Sequence, residues 1–270
     1  MNTGNANQTA PAADYTLVTE IAGAQVTRQQ VERHAHRYYW AAQYCAGKDV
    51  LEVACGNGQG LGYLAGKAGS LIAGDISPDL LARARALYGE RKFLARFDAH
   101  ALPFAARSLD VVLLFEAIYY LSPAEVFVRE CRRVLRKGGV LLLVTANKDL
   151  YDFSPSLYSN RYYGAVELRN MFASHGFEAE VFGYAPVHQG SLRQRLLRPL
   201  KKMAVAAKLL PRTMAGKKWL KRLVFGSLVT MPRVISEGMI AYQPPHPLDG
   251  ATPDKRHLVI YCAATVTGDH

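Results

Sequence analysis

The sequence predicts a doubly wound α/β domain with a mostly parallel, seven-stranded sheet and a helical insertion before the last strand. Short apolar runs alternate with helical patterns along most of the chain. A cluster of glycines follows the first apolar run directly. Strands that alternate with helices indicate βαβ units, in which each helix crosses over between two parallel strands.

Seven apolar runs bounded by turn residues are the candidate strands. They cover residues 50–54, 71–74, 93–97, 111–115, 140–144, 179–184 and 258–262. Short, nearly continuous apolar runs of this kind are typical of parallel strands that are buried on both faces.

Helical patterns occupy residues 27–45, 78–88, 123–135 and 165–175. Thr27 is the expected N-cap of the first helix. Ser77 and Ser122 each precede a proline, a residue that suits the first position of a helix. Lys137-Gly138-Gly139 and Gly176 are expected to end the third and fourth helices.

The chain is expected to divide into three parts. Residues 1–26 are mostly small and polar at their start, and we predict a flexible N-terminal segment. Residues 27–185 and 257–270 form the predicted α/β core, and residues 186–256 form a basic helical lid or insertion. A connection of that length normally contains secondary structure and often carries function.

The most informative motif follows the first predicted strand. Gly56, Gly58 and Gly60 stand where this strand turns into a helix, and glycines there permit a sharp turn and a close approach of a ligand. We expect the ligand to pass beside Gly58. Asp75 lies 19 residues beyond Gly56, at the end of the second predicted strand. A carboxylate in this place can accept hydrogen bonds from ribose hydroxyls.

Three details distinguish this motif from a dinucleotide-binding fingerprint. That fingerprint has glycine three residues after its second glycine, where this chain has Leu61. Glu52 lies in the strand before the glycines, where a carboxylate repels a pyrophosphate and attracts an amino group. Asp98 follows the third predicted strand and is placed to accept a hydrogen bond from an adenine amino group.

In their order and spacing, these segments resemble the class I S-adenosylmethionine-dependent methyltransferases. The resemblance covers about residues 31–184 and the final strand, and it includes Gly74-Asp75-Ile76-Ser77. The stretch Arg33-His34-Ala35-His36-Arg37-Tyr38 is similar to the lead-in of bacterial enzymes associated with surface polysaccharides and secondary metabolites. The resemblance implies S-adenosylmethionine as the cofactor.

The same resemblance implies a set of cofactor-binding residues. Arg37 or Tyr38 would reach the carboxylate of the cofactor, and Phe115 would line its methionine portion. The full set is Arg37, Tyr38, Glu52, Gly56, Gly58, Asp75, Ile76, Asp98, Ala99 and Phe115.

Catalytic residues are difficult to predict for methyl transfer, because an in-line displacement depends mainly on alignment and the exclusion of water. A general base is needed only for a hydroxyl or a protonated amine. The candidates are Tyr119 and Tyr120, after the fourth predicted strand, and His36 on the first helix. The four cysteines are scattered, and we expect no metal site.

The positive charge of the chain is concentrated in one segment. The net charge is +11, and residues 193–222 contain eleven lysines and arginines and no acid. We expect a lid helix with a solvated basic face, a contact with an anionic membrane surface, or docking of an acidic carrier. Nucleic acid is disfavoured as a partner, since Phe115-Glu116-Ala117-Ile118 replaces the Asn-Pro-Pro-Tyr type of motif.

The residues favour methyl transfer to a small-molecule acceptor, either a sugar hydroxyl or a secondary metabolite. Three other hypotheses stay open: a membrane-surface enzyme with a lipid-linked acceptor, a non-catalytic nucleoside-binding scaffold, and a nicotinamide-dependent reductase. The last is disfavoured by Leu61. A cytoplasmic location, with possible peripheral membrane contact, is expected because the start of the chain has no apolar secretion signal.

Overall fold

The computed structural model describes residues 14–89, 94–156, 158–187 and 228–268. The strands in these ranges are β1 (Gln25–Val26), β2 (Asp49–Val53), β3 (Ser70–Asp75), β4 (Leu94–Arg96), β5 (Leu109–Phe115), β6 (Leu135–Ala146), β7 (Phe177–Pro186), β8 (Val229–Thr230), β9 (His246–Leu248) and β10 (His257–Val266). The α-helices are α1 (Arg28–Cys45), α2 (Leu61–Ala65), α3 (Pro78–Tyr88), α4 (Ala124–Val134) and α5 (Ala165–Ala173). Tyr15–Leu17 and Ile118–Tyr120 are short 3-10 turns.

The main sheet has the strand order β4-β3-β2-β5-β6-β10-β7-β9 within the described ranges. The pairings among β4, β3, β2, β5 and β6 are parallel, and β10 runs antiparallel to both of its neighbours. The chain leaves β2 in one direction to form β3 and β4, and later returns to its other side with β5 and β6. This reversal opens a crevice at the carboxyl ends of β2 and β5, where doubly wound folds bind ligands.

All seven predicted strands are present, and the doubly wound fold class is confirmed. The sheet contains an eighth strand, β9, which pairs with the edge of β7. It is three residues long and includes Pro247. Proline has no backbone N–H to donate, and it is tolerated at a sheet edge because no further strand requires that donor. Such a short, proline-containing strand has no apolar pattern, and the sequence therefore gave no signal for it.

Capping residues set the start of two of the helices as predicted. Thr27 accepts from the backbone of Gln30, and the Gln30 side chain accepts in return from the Thr27 backbone. Ser77 accepts from the backbone of Leu80 ahead of α3. The prediction for Ser122 is wrong, because α4 begins at Ala124 without a side-chain cap.

Two apolar clusters hold the helices on opposite sides of the sheet. One includes α4 and α5, with Phe127 and Phe172 fully buried. The other includes α1 and α2, with Trp40 and Leu64 buried against the strands. Burial of apolar surface on both faces explains why the central strands are apolar throughout.

Residues 14–26, which belong to the segment predicted to be flexible, contain a 3-10 turn and the strand β1. The short strand β1 pairs antiparallel with β8, over two hundred positions later in the chain. Gly23 donates to the Met231 carbonyl, and Met231 donates to the Ala24 carbonyl. A partner so distant in sequence cannot be found from local patterns.

The predicted insertion is described only in part. Residues 228–256 form β8, β9 and connecting turns and bends, and the helical structure predicted for 186–256 is not found in this part. The basic residues 193–222 lie outside the described residues. Within the described ranges, no helix combines the length and the apolar character required to cross a bilayer.

Candidate functional site

A cavity of about 390 Å³ opens at the carboxyl ends of β2, β3 and β5. Helix α1 forms one wall, and the N-terminal residues Tyr15, Thr19 and Glu20 form part of another. The cavity lies where the strand order reverses, which is the expected place for a ligand in a doubly wound sheet.

The glycine turn after β2 has two different faces. Gly56 lines the cavity, and its φ of +58° lies in the left-handed region that favours glycine. Gly58 has a φ of +76°, but a Cβ there would meet Ala84 at 3.0 Å and Leu61 at 3.1 Å. Gly58 therefore packs against α2 and α3 and does not line the cavity. The prediction from the sequence had placed it beside the ligand. Its role is to allow the turn.

Asp75 ties the glycine turn to the start of α3. Its Oδ2 accepts from the Gly56 backbone at 2.9 Å, and its Oδ1 accepts from the Ser77 backbone at 2.9 Å. Burial raises the pKa of this carboxyl, although these backbone donors oppose the rise. Each carboxylate oxygen has a further lone pair, so that Asp75 can still accept from ribose hydroxyls in the cavity.

Glu52 is a buried carboxylate with one oxygen left without a partner. Tyr38 donates its hydroxyl to Oε1 at 2.8 Å, and Oε2 has no hydrogen-bond partner among the described residues. Burial raises the pKa of Glu52 to about 7, against the hydrogen bond from Tyr38 and the charge of Arg37, which lower it. A buried acceptor without a donor is costly, so this site fits a cationic donor such as an ammonium group.

Arg37 also lines the cavity, but through a different contact from Tyr38. Its Nη2 donates to His34 Nδ1 at 2.7 Å, while its Nε has no partner among the described residues. The guanidinium lies 5.9 Å from the ring centre of Phe115. Because the Tyr38 hydroxyl is committed to Glu52, Arg37 is the better placed of the two to meet a carboxylate.

His34 is neutral in this arrangement. Burial, followed by the charge of Arg37, lowers its pKa to about 4. His34 Nδ1 lies 2.7 Å from Arg37 Nη2 and 3.3 Å from Glu20 Oε2, whereas Nε2 has no partner in the described part of the chain. Burial alone would raise the pKa of the neighbouring Glu20, but His34, Arg37 and Arg33 outweigh it and lower the value to about 2.

The far end of the cavity combines an apolar wall with one carboxylate. Ile76, Ala99 and Phe97 line it together with Asp98. The Asp98 Oδ1 accepts from both the backbone and the ring of His100 at 2.8 Å, while the side chain stays 50% exposed. An apolar wall with an acceptor at its rim suits a purine base that carries an amino group.

The three candidate catalytic residues have different surroundings. Tyr119 and Tyr120 line the cavity, and Tyr119 donates to Glu116 Oε2 at 3.2 Å. His36 does not line it. Its Nδ1 lies 2.8 Å from the hydroxyl of Tyr261, and its Nε2 lies 2.7 Å from the carbonyl of Gln243. Both ring nitrogens of His36 therefore have partners, and burial lowers its pKa to about 4. His36 is part of the core and does not line the cavity.

The charged or polar cavity residues that sequence reasoning missed include Glu20, Arg33, His34 and Glu116. Glu20 lies in the segment predicted to be flexible. Arg33 and His34 belong to the stretch ahead of the first predicted strand, and no role was predicted for either. The four-residue spacing of Arg33 and Arg37, which places both on one face of α1, was the available signal. Glu116 follows Phe115 directly, and its position at the end of a central strand was the available signal.

Comparison with known proteins agrees with this geometry. Residues 51–143 match the family model described as a methyltransferase domain. The chain is 38% identical over 154 residues to a Mycolicibacterium smegmatis protein named a probable S-adenosylmethionine-dependent methyltransferase, covering 55% of this chain and 59% of that one. A Mycobacterium tuberculosis protein of the same description is 34% identical over 177 residues, covering 63% of this chain and 64% of that one.

A solved S-adenosylmethionine-dependent methyltransferase from Thermotoga maritima has the same fold. It superposes with a TM-score of 0.53 at 16% identity, over 88% of this chain and 96% of that one. Fold and cavity together define a doubly wound domain with a ligand-sized crevice where its strand order reverses. Residues 51–143 match a methyltransferase domain, and the curated relatives are named S-adenosylmethionine-dependent methyltransferases, in agreement with the resemblance. The chain spans about 60% of the length of the curated relatives it matches.

Proposed function

We propose that this protein transfers the methyl group of S-adenosylmethionine to a small-molecule acceptor, either a sugar hydroxyl or a secondary metabolite. The observation that carries the proposal is the unpartnered Oε2 of Glu52 inside the cavity. A carboxylate in that place would be unfavourable for a bound pyrophosphate, whereas the ammonium group of a methionine moiety supplies both the missing donor and the missing charge.

The other residues of the cavity fit the remaining parts of this cofactor. Asp75 would accept from the ribose hydroxyls, Asp98 from the adenine amino group, and Arg37 would hold the carboxylate. Ile76 and Ala99 would pack on the purine, and Phe115 would lie along the methionine chain.

The protein's part in the reaction is alignment and the exclusion of water. Bound S-adenosylmethionine supplies an activated methyl group on a sulfonium, which needs an acceptor held in line with the S–C bond. The N-terminal residues Tyr15, Val18 and Thr19 line the cavity opposite the sheet, and their attachment through β1 and β8 keeps them over it. Removal of water around the reacting atoms strengthens each charge contact there.

Equilibrium binding tests this proposal directly. S-adenosylhomocysteine should bind the wild type, and NADH should not. Glu52→Gln keeps the size of the side chain and should weaken S-adenosylhomocysteine binding by about tenfold or more, since a charged hydrogen bond is lost. Glu32→Gln is the control, because Glu32 lies on α1, 44% exposed and paired with Arg28, and does not line the cavity. Tight NADH binding, or equal effects of the two substitutions, would contradict the proposal.

A finer part of the proposal concerns the basic residues 193–222. Their eleven positive charges and absence of acids support contact with an anionic lipid surface or an acidic carrier of the acceptor. Replacing Lys201, Lys202, Lys217 and Lys218 by glutamate should abolish binding to phosphatidylglycerol vesicles and leave S-adenosylhomocysteine binding unchanged. Wild-type protein that ignores such vesicles at low salt would contradict the membrane contact.

A further inference from the structure

Glu116 has a left-handed backbone conformation, which a glycine would adopt more easily. It follows Phe115 at the carboxyl end of β5, with a φ of +52°. Its backbone donates to the Val144 carbonyl at 2.7 Å, which fixes it beside the end of β6. A left-handed backbone at a residue with a side chain costs free energy and occurs preferentially at functional sites.

The two carboxylate oxygens of Glu116 differ in their hydrogen-bond partners within the described residues. Oε2 accepts from the Tyr119 hydroxyl at 3.2 Å and from the Ala146 backbone at 3.2 Å. Within the described ranges no donor is found for Oε1, and the residue lines the cavity. Since both structural contacts use one oxygen, the fold accounts for a single acceptor and leaves the other oxygen of the carboxylate to the cavity.

Charges of both signs surround Glu116. Burial raises its pKa, while the guanidinium groups of Arg37 and Arg33 on α1 favour the ionised form. The further titratable groups that interact with it are Glu20 of the N-terminal segment, Tyr119, Tyr120, Tyr162 and, on β10, Tyr261. Glu116 is therefore a carboxylate whose protonation responds to a charge brought into the cavity.

The wall of α1 beside Glu116 offers donors to an oxygen-rich ligand. Arg33 Nε and His34 Nε2 are buried and have no partner among the described residues. Across the cavity, Tyr15 and Tyr120 are in edge contact, with ring centres 5.4 Å apart. Donor nitrogens on one side and aromatic rings on the other suit an uncharged molecule that carries hydroxyl groups.

We propose that Glu116 is the general base of this protein, and that it takes the proton of an acceptor hydroxyl, with Tyr119 as the positioning residue. The inference rests on the proposed methyl transfer. The acceptor O–H bond breaks and its proton goes to Glu116 Oε1. The acceptor oxygen forms the bond to the methyl carbon, and the electron pair of the breaking S–C bond stays on sulfur. The positive charge of the sulfonium and the negative charge of Glu116 are both neutralised. The products are the neutral thioether, the methyl ether and protonated Glu116.

This assignment selects the acceptor class. An alcohol or phenol must lose a proton as the new bond forms, and a positioned carboxylate assists that loss. The acceptor is therefore a compound whose reacting group is an alcohol or phenol hydroxyl.

Binding of two cofactor analogues tests the position of Glu116 without knowledge of the acceptor. S-adenosylhomocysteine is neutral at the reacting position, whereas sinefungin carries an ammonium group there. Glu116→Gln should weaken the binding of sinefungin by about tenfold, because a charged contact is lost. It should change the affinity for S-adenosylhomocysteine by less than about twofold. Glu52→Gln should weaken both, since both contain the same amino acid group. Equal effects of Glu116→Gln on the two analogues would overturn the proposal.

Turnover tests the chemical role. A panel of alcohols, phenols with graded acidity, and amines is offered with labelled S-adenosylmethionine at saturation. Glu116→Gln should lower the rate constant on the hydroxyl acceptor that the wild type uses by about 100-fold or more, with the smallest loss on the most acidic phenol. It should also abolish the fall in wild-type rate at low pH. Glu178→Gln, at an exposed position on β7, is the control.

The outcomes separate this inference from the proposed function. Wild-type protein that fails to bind S-adenosylhomocysteine would overturn both. Normal binding with full turnover by Glu116→Gln, or a wild type that methylates only amines, would overturn the role of Glu116 and leave the methyltransferase proposal intact.

Discussion

Tyr38 donates its hydroxyl to Glu52 across 2.8 Å and thereby fixes one oxygen of the carboxylate on which the cofactor site depends. The hydrogen bond favours the charged form of Glu52 against a burial that raises its pKa to about 7. Removal of the hydroxyl in Tyr38→Phe should raise that pKa further. Binding of S-adenosylhomocysteine at pH 7 should then weaken several-fold and recover as the pH is raised to 8.5. Calorimetric titrations at the two pH values provide the check, and an equal loss at both would contradict the explanation.

The same ring explains why Gly60 is a glycine. A Cβ at Gly60 would overlap the ring of Tyr38, so that Gly60→Ala forces the ring away from Glu52. We expect a loss of about 1–3 kcal/mol in unfolding free energy, the range for overpacking, together with weaker cofactor binding. Gly66→Ala is the control, because its nearest neighbours would lie at 3.6 Å or beyond. Denaturant unfolding that shows no difference between the two variants would exclude the overlap.

Asp75 holds the glycine turn and is also proposed to bind the ligand. In Asp75→Asn one oxygen is replaced by an amide NH2, which cannot accept from the Gly56 or Ser77 backbone. We expect a loss of about 1–3 kcal/mol in stability, because a buried donor is left unsatisfied, and weaker S-adenosylhomocysteine binding. Thermal unfolding with and without the analogue measures both effects. Weaker binding at unchanged stability would mean that the two backbone contacts contribute nothing.

His36 should matter for folding and not for the ligand. Its pKa of about 4 in the folded state lies below the ordinary value of 6.5, so the unfolded chain binds more protons between these limits. The stability contributed by neutral His36 is therefore fully present above pH 6.5 and is lost as the pH falls toward 4, by up to about 3 kcal/mol. His36→Gln should unfold more easily at pH 7, show a smaller loss between pH 6.5 and 4 than the wild type, and bind S-adenosylhomocysteine normally. A variant with intact stability but no methyl transfer would reverse this assignment.

The sequence predicted the features that depend on neighbouring residues. The apolar runs of the central strands, the caps at Thr27 and Ser77, and the glycine turn are all local, and each was found. Glu52 and Asp75 could be expected in the cavity because residues at strand ends meet at one edge of a parallel sheet.

The features that the sequence did not reveal depend on contacts between distant parts of the chain. Glu20 reaches the cavity only because β1 is held by β8. Gly58 and His36 were assigned to the ligand from residue type and position, but the packing of α3 and of β10 decides where they face. The left-handed backbone of Glu116 is not predictable from the local sequence, although its position directly after a central strand is.

The pH dependence of S-adenosylhomocysteine affinity tests the central claim, that Glu52 recognises the amino group of the cofactor. Ionised Glu52 binds the ammonium group, so binding lowers its pKa from about 7 and releases a proton at acidic pH. The wild-type association constant should rise by up to about tenfold per pH unit below pH 7 and level off above it, whereas Glu52→Gln should bind weakly with no such rise. A wild-type affinity that is constant from pH 5.5 to 8.5, or tight binding by Glu52→Gln, would contradict the account.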